Sequence, residues 1–161
     1  VSLEIFEDLP EITDLVISIG GGGLISGNTV AIKSLSPQVR VWGVETEGSA
    51  TMKTAMDAGE VVNITPTSLA KTLGAPFVAQ DALTIAQKHL EELLIVSDKQ
   101  AIDAQRLVLE RAKVLPELAA SCTLAAAQII KDRFGPDDHL VLLMCGGNDS
   151  VANLVNYAQM A

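Results

Sequence analysis

The chain has 161 residues and a mass of 16.9 kDa, which leaves room for one domain of ordinary size and not for several. Apolar residues make up 48% of it and charged residues 19%, with a mean hydropathy of +0.34, so it groups with chains that bury a core and not with disordered ones. A formal net charge of -9 and an isoelectric point near 4.5 oppose a phosphate backbone or an anionic membrane surface, so neither nucleic acid nor a membrane is an expected partner.

In chain order, Leu3, Ile5, Phe6 and Leu9 can share one face of an opening helix. Leu15 to Ile19 is a short apolar run between Asp14 and Gly20, the pattern of a buried strand. A helix is predicted over about Leu24 to Leu35, stopped by Ser36 and Pro37, and Val39 to Val44 returns to β-branched character. Ser49 to Ala58 reads as helix, whereas 63–76 mixes Pro, Thr, Ser and Gly without a period and reads as a partly ordered connection. Leu93 to Val96 is a third strand, after which Ser97 and Gln100 form a capping box that opens a helix to about Lys113. Glu117 to Phe134 is an Ala-rich helix closed by Gly135 and Pro136, Leu140 to Met144 a last apolar strand, and Ser150 to Tyr157 a closing helix. Strands alternating with helices, with no repeat and no long linker, predict one α/β unit over 1–161. Val1 to Pro10 lacks the basic and apolar regions of a signal peptide, and no apolar run approaches the roughly 20 residues of a bilayer span. With no initiator Met and a start inside an apparent helix, an N-terminal part of the protein is expected to precede Val1.

Four consecutive glycines, Gly20 to Gly23, leave the first strand and enter a helix at Leu24. Glycine amides approach an anion closely and the helix N-terminus adds a favourable dipole, so the loop suits a phosphate. A plain tight turn needs only one or two glycines, and four cost backbone entropy without a structural return. Both common nucleotide fingerprints are missed: no Gly-Lys-Ser or Gly-Lys-Thr follows, and Ser26 stands where the dinucleotide pattern has its third glycine. Glu45 nevertheless sits where a ribose-binding acid would, so a noncatalytic, nucleotide-binding Rossmann-like domain is the competing reading.

Cys145-Gly146-Gly147-Asn148 also follows a strand and precedes a helix, and two such loops at strand ends can line one crevice. Taken alone, Cys145 reads as a buried, inert thiol. Glu117 follows Pro116 at a helix start, where a carboxylate serves either the helix dipole or a ligand. Cys122 and Cys145 lie 23 positions apart with no metal-ligand spacing, so no disulfide framework and no zinc site are expected, and a reducing, cytoplasmic compartment is the reading. His89 and His139 have no acid, Ser or Cys at useful spacing and read as surface residues.

The run Ser18-Ile19-Gly20-Gly21-Gly22-Gly23-Leu24-Ile25-Ser26-Gly27 resembles the phosphate loop of pyridoxal-phosphate enzymes of the tryptophan-synthase β fold. Gly43-Val44-Glu45, then Lys113-Val114-Leu115-Pro116-Glu117, then Cys145-Gly146-Gly147-Asn148 follow in the order, and at about the distances, of the threonine and serine dehydratases of that group. The resemblance covers nearly the whole chain. It implies an open, mainly parallel, three-layer α/β sheet with helices on both faces, comprising most of the large cofactor-binding domain without its N-terminal part. It implies pyridoxal 5′-phosphate as cofactor, with Gly20, Gly21, Gly22, Gly23 and the amide of Leu24 on the phosphate. Cys145 would face the pyridine nitrogen, Glu117 would lie near the ring edge, and Asn148 would order the loop carrying Cys145. A neutral partner at the nitrogen leaves the ring a milder electron sink, which suits β-elimination.

The implied activity is L-threonine or L-serine ammonia-lyase: a lysine of the enzyme removes the α-proton, the β-hydroxyl leaves, and hydrolysis gives a 2-oxo acid and ammonia. Implied partners are a small hydroxy-amino acid, the N-terminal segment of the same enzyme and further copies in a homo-oligomer. Serine racemase, threonine synthase and the cysteine-synthase group share the fold and stay open as alternatives.

The sequence also departs from the family pattern. The Schiff-base lysine of these enzymes has a Ser-aromatic-Lys-Xaa-Arg setting, and none of the seven lysines here has those neighbours. Lys99, in Ser97-Asp98-Lys99-Gln100, comes nearest and lacks the aromatic and the Arg. No catalytic residue is therefore assigned within this chain, which alone is expected to be inactive. Ser68-Leu69-Ala70-Lys71-Thr72 stands where many members have Thr-Ile-Ala-Asp-Gly, so Lys71 replaces an acid near a possible cation site and no metal site is carried over. Leu118 replaces the proline that usually follows the glutamate. The chain ends soon after the last motif, so no regulatory domain is expected, as in a degradative dehydratase or a racemase.

Overall fold

The computed structural model describes residues 1–160. Its helices are α1 (Ser2–Asp8), α2 (Gly23–Leu35), α3 (Thr51–Ala58), α4 (Gln80–His89), α5 (Asp98–Ala112), α6 (Leu118–Ile129) and α7 (Val151–Ala158). Its strands are β1 (Asp14–Ser18), β2 (Arg40–Thr46), β3 (Glu92–Val96) and β4 (Leu140–Leu142). They form one sheet in the order β3-β2-β1-β4, with every pairing parallel.

Side chains alternate along each strand between two separate cores. Val16, Trp42, Val44, Leu94 and Val96 join a core with α5 and α6, while Leu15, Ile17, Val41 and Leu93 join another with α2, α3 and α4. Helices thus cover both faces, which is why all five residues of β1 are buried and its centre, Leu15 to Ile17, is apolar without alternation. α6 touches all four strands. Nine of its 12 residues are buried, and its Ala, Ser and Cys side chains let the helix lie close to the sheet.

The ends of the strands opposite the glycine loops are tied by a polar cluster. Asp14, fully buried, accepts from Trp42 Nε1, Arg40 Nη2 and Thr13 Oγ1, each at 2.7 Å, and Arg40 also reaches Asp138 at 2.9 Å. Four hydrogen bonds on one carboxylate–guanidinium pair satisfy a charge that would otherwise be costly to bury.

Several elements differ from the sequence reading. α4 falls in a stretch for which the pattern yields no element, because its inward face is only Ala82, Leu83 and Ala86. Leu3 is 56% exposed; α1 is about two turns long, and of the four apolar residues expected on one face only Ile5, Phe6 and Leu9 reach the core. The long Ala-rich helix stops at Ile129, and a 3-10 turn over Lys131–Arg133 brings Phe134 edge-on to Trp42, 6.1 Å between ring centroids. The last strand has three residues and not five, since only Leu140, Val141 and Leu142 pair with β1, and at the sheet edge they stay half-buried. The stretch 63–76 has no element beyond a 3-10 turn at Lys71–Leu73, yet it is firmly tied. Ser68 Oγ and the Leu69 N–H donate to Asp98, the Thr67 N–H to the Gly48 carbonyl, and the Ile64 N–H to the Pro76 carbonyl. Among the described residues no helix is long and apolar enough to cross a membrane.

Candidate active site

In open parallel sheets ligands sit beyond the C-terminal strand ends, where neighbouring connections diverge to opposite faces. β1 and β4 form such a pair. β1 leads through Gly20–Gly23 into α2 on one face, and β4 leads through 143–150 into α7, whose Tyr157 packs on the core of the other face. Ser18 Oγ at the end of β1 lies 3.9 Å from Cys145 Sγ beyond β4. A cavity of about 210 Å³ opens there, lined by Gly20, Gly21, Gly22, Gly23, Leu24, Glu117 and Cys145, together with Ser18 and Thr72.

The first wall is the glycine loop. Gly22 is the N-cap of α2 with φ +94°, and a Cβ there would lie 2.5 Å from Ala82 Cβ, so only glycine fits. No side chain caps α2 and no acid occupies its first turn, which leaves that turn's N–H groups for an anion. A Cβ on Gly23 would meet nothing within 4 Å, so packing does not demand a glycine at that position. An uncapped helix end beside a cradle free of side chains fits a phosphate group.

The second wall is Glu117 with the Cys145 loop. The Glu117 N–H donates to the Gly146 carbonyl at 2.9 Å, and a Cβ on Gly146 would stand 2.5 Å from Glu117 Oε1, so the carboxylate lies directly on the loop backbone. Thr72 Oγ1 donates to Glu117 Oε1 at 2.8 Å. Buried Gln105 of α5 braces both parts, donating from Nε2 to the Pro116 carbonyl at 2.8 Å and to Asp149 Oδ2 at 2.7 Å.

Asn148 does not make the loop-ordering bonds expected of it. Asp149 makes them, its Oδ1 accepting from the Ser150 N–H and from Asn153 Nδ2 at 2.8 Å each. Asn148 instead lines a neighbouring cavity of about 70 Å³ with Lys71, Asn153 and Tyr157. The turn closed by the Asp149 N–H on the Gly147 carbonyl carries the Asp149 side chain toward α5 and leaves Asn148 exposed.

Cys145 is exposed, which overturns its reading as a buried inert thiol. Cys122 is the buried one, its thiol pushed up to about 12 by burial and, to a lesser degree, by the charge of Asp98. Glu45 cannot serve a ribose. It is fully buried and both its oxygens are occupied at 2.8 Å by the N–H groups of Met52 and Lys53, so it caps α3, and burial pushes it up to about 7 against those bonds. The residue on which the nucleotide reading depended is thereby removed from the crevice. No lysine lines the 210 Å³ cavity among the described residues. Lys99 is 61% exposed and 3.5 Å from Asp103. His139 is a surface residue, although Glu11, from the opposite end of the chain, comes within 3.9 Å of its Nδ1.

Thr72, Gln105 and Asp149 were missed as site residues. Thr72 stands in a stretch without periodicity, and a buried Gln on an amphipathic helix gives no sequence signal. Asp149 follows the glycine motif directly, and its place as a helix-start acid before Ser150 was the one available cue.

The family model for pyridoxal-phosphate dependent enzymes matches residues 1–146, and the chain belongs to that family. Among its relatives, an L-threonine ammonia-lyase of Thermotoga maritima is 37% identical over 153 residues, covering 94% of this chain and 37% of the relative. A serine racemase of Schizosaccharomyces pombe is 26% identical over 155 residues, covering 96% of this chain and 48% of the relative. The crystal structure of a fungal L-serine ammonia-lyase from Rhizomucor miehei matches with a TM-score of 0.91 at 30% identity, over 98% of this chain and 53% of that one. The sheet is that of the tryptophan-synthase β-like domain, and the chain spans about half, or less, of the length of these relatives.

Proposed function

We propose that this chain forms most of the large cofactor-binding domain of a pyridoxal-phosphate-dependent L-threonine/L-serine ammonia-lyase. The Schiff-base lysine and the loop for the substrate carboxylate would come from an N-terminal segment of the same enzyme. One observation carries the reading. A single cavity has an uncapped helix N-terminus at one end and an exposed thiol beside a hydroxyl at the other, which suits a ligand with a phosphate on one side and a pyridine nitrogen on the other.

In this reading the amides of Gly20 to Gly23 and Leu24 hold the phosphate, Cys145 faces the ring nitrogen, and Glu117 borders the ring edge. When bound, the cofactor supplies an electron sink that acidifies the substrate α-proton. A thiol offers the nitrogen no charge, so this chain leaves the ring uncharged and favours departure of a β-hydroxyl over deeper carbanion chemistry. Asn148 stands at the side cavity, beyond contact with the larger one. The substrate is a small hydroxy-amino acid and the assembly a homo-oligomer. Lyase is preferred to racemase because the 37% identical relative and the structure at TM-score 0.91 both carry ammonia-lyase names.

Thermal unfolding with added ligand tests this. Pyridoxine 5′-phosphate, which has the ring and phosphate but no aldehyde to react with surface lysines, should raise the midpoint, and Cys145→Asp should weaken the effect. The chain alone should release no 2-oxo acid from L-threonine. Stabilisation by ADP and none by pyridoxine 5′-phosphate would overturn the reading in favour of a nucleotide binder.

A further inference from the structure

We infer that Thr72 is a positioning residue of this site: its hydroxyl holds the Glu117 carboxylate on the Cys145 loop while its main chain backs the glycine loop, so one residue joins the two ends of the cavity. For the identity of the ligand, this role rests on the cofactor reading given above; for the contacts themselves it does not.

Thr72 lies in the 3-10 turn Lys71–Leu73. Its carbonyl oxygen is 3.2 Å from where a Cβ on Gly20 would stand, so the turn presses on the first residue of the glycine loop. Its Oγ1 donates to Glu117 Oε1 at 2.8 Å, and Oε1 in turn lies 2.5 Å from a Cβ built on Gly146. A row of close neighbours therefore runs from Gly20 through Thr72 and Glu117 to Gly146. Thr72 is the one side-chain donor to the Glu117 carboxylate among the described residues. Without that hydroxyl, the carboxylate would keep only its packing against Gly146 and would be free to turn toward solvent.

Thr72, Glu117 and Ala119 line both the 210 Å³ cavity and the 70 Å³ cavity beside it, so the Thr72–Glu117 hydrogen bond is part of the wall between the two. The family pattern cited above often has glycine at this position, which can back the loop but cannot donate a bond. Thr72 adds a hydroxyl-to-carboxylate bond at an exposed place, whose loss is read at the ring end of the ligand and not at the phosphate end.

The test compares Thr72→Val, which keeps shape and removes the hydroxyl, with Thr72→Ser, which restores it. Calorimetry would give the affinity of each full chain for pyridoxine 5′-phosphate and for inorganic phosphate. Thr72→Val is expected to bind pyridoxine 5′-phosphate about ten-fold more weakly, with phosphate affinity within about two-fold of the parent and Thr72→Ser close to the parent for both. An equal loss for both ligands would make Thr72 merely a support of the glycine loop, and no loss, or no rescue by Ser, would overturn its role outright.

Hydrogen exchange without ligand reads the same contact independently. Thr72→Val should exchange faster over 142–149, and Thr72→Ser should not. If the parent chain binds neither ligand, the cofactor reading fails while faster exchange still upholds the link from Thr72 to the Cys145 loop. Unchanged exchange in Thr72→Val would sink that link whatever the ligands do.

Discussion

Ser18 and Cys145 are 127 positions apart in the chain, and their Oγ and Sγ atoms are 3.9 Å apart in space. Their proximity follows from topology. β4 returns to the sheet beside β1, so the last strand of the chain ends next to the first, and the loop that follows each meets the other across the crevice. The phosphate-type loop and the thiol loop belong to one site because two parallel strands are neighbours.

The two cysteines should react very differently. Cys145 is exposed at the cavity, whereas burial holds the Cys122 thiol up at about 12, far from the thiolate that alkylation needs. Iodoacetamide at pH 8 is expected to label Cys145 at least about 100-fold faster than Cys122. Pyridoxine 5′-phosphate should slow labelling of Cys145. Peptide mass mapping over time checks both; comparable labelling of the two thiols in the folded chain would contradict the placement of α6 against the sheet.

Two neighbouring glycines should differ in what an alanine does to stability. Gly22→Ala forces a side chain into positive φ and to 2.5 Å from Ala82 Cβ, an expected cost of about 3 kcal/mol. Gly23→Ala meets nothing within 4 Å at the first turn of α2 and should change stability by less than about 1 kcal/mol. Urea unfolding of both variants tests the loop geometry, and equal destabilisation would speak against it.

Stability should carry a pH signature of Glu45. Burial pushes this carboxyl from an ordinary value of 4.5 up to about 7, so between those pH values the folded state keeps a proton that the unfolded chain releases. Its contribution is thus fully present below about 4.5, falls as pH rises through 7 and then levels off. The span corresponds to about 3 kcal/mol. Glu45→Gln abolishes the charge and keeps an acceptor for only one of the two α3 N–H groups, so it should start below the parent near pH 4.5 and gain on it by up to that amount by pH 8. Parallel stability profiles for the two proteins would refute this.

At the other end of the sheet, Arg40→Met leaves the fully buried Asp14 without its cation, at an expected cost of about 3 kcal/mol. Lys53→Met breaks an exposed pair with Asp57 one turn along α3 and should cost under about 0.5 kcal/mol. Denaturant midpoints of the two variants decide whether the Asp14 cluster is the stabilising one.

Much of this organisation was legible in the residues. A parallel strand buried on both faces lacks polar alternation at its centre, so the apolar run that opens at Leu15 announced β1, and the Ser97–Gln100 box fixed the start of α5, where both reciprocal bonds form. Gly20 to Gly23, Glu117 and Cys145 were picked by residue type and meet in one cavity. What stayed hidden depends on tertiary neighbours. α4 shows the core only two alanines and a leucine, and 63–76 is ordered by single bonds to Asp98 and Gly48 that leave no period in the sequence. Glu45 looked like a ligand acid because its strand-end position is right; only the fold reveals that α3 begins against it. Asp149 takes the loop-ordering part expected of Asn148 for the same reason, since the turn after Gly147 decides which of two adjacent side chains points inward.

One small ligand should span the two glycine loops, with its phosphate on the first and its ring against the second. Amide NMR of the labelled chain during titration tests it most directly. Pyridoxine 5′-phosphate should shift Gly20 to Leu24 and Cys145 to Gly147 together along one saturation curve, while inorganic phosphate should shift the first group alone. Saturable shifts confined to either loop with pyridoxine 5′-phosphate, or none in both, would contradict the claim.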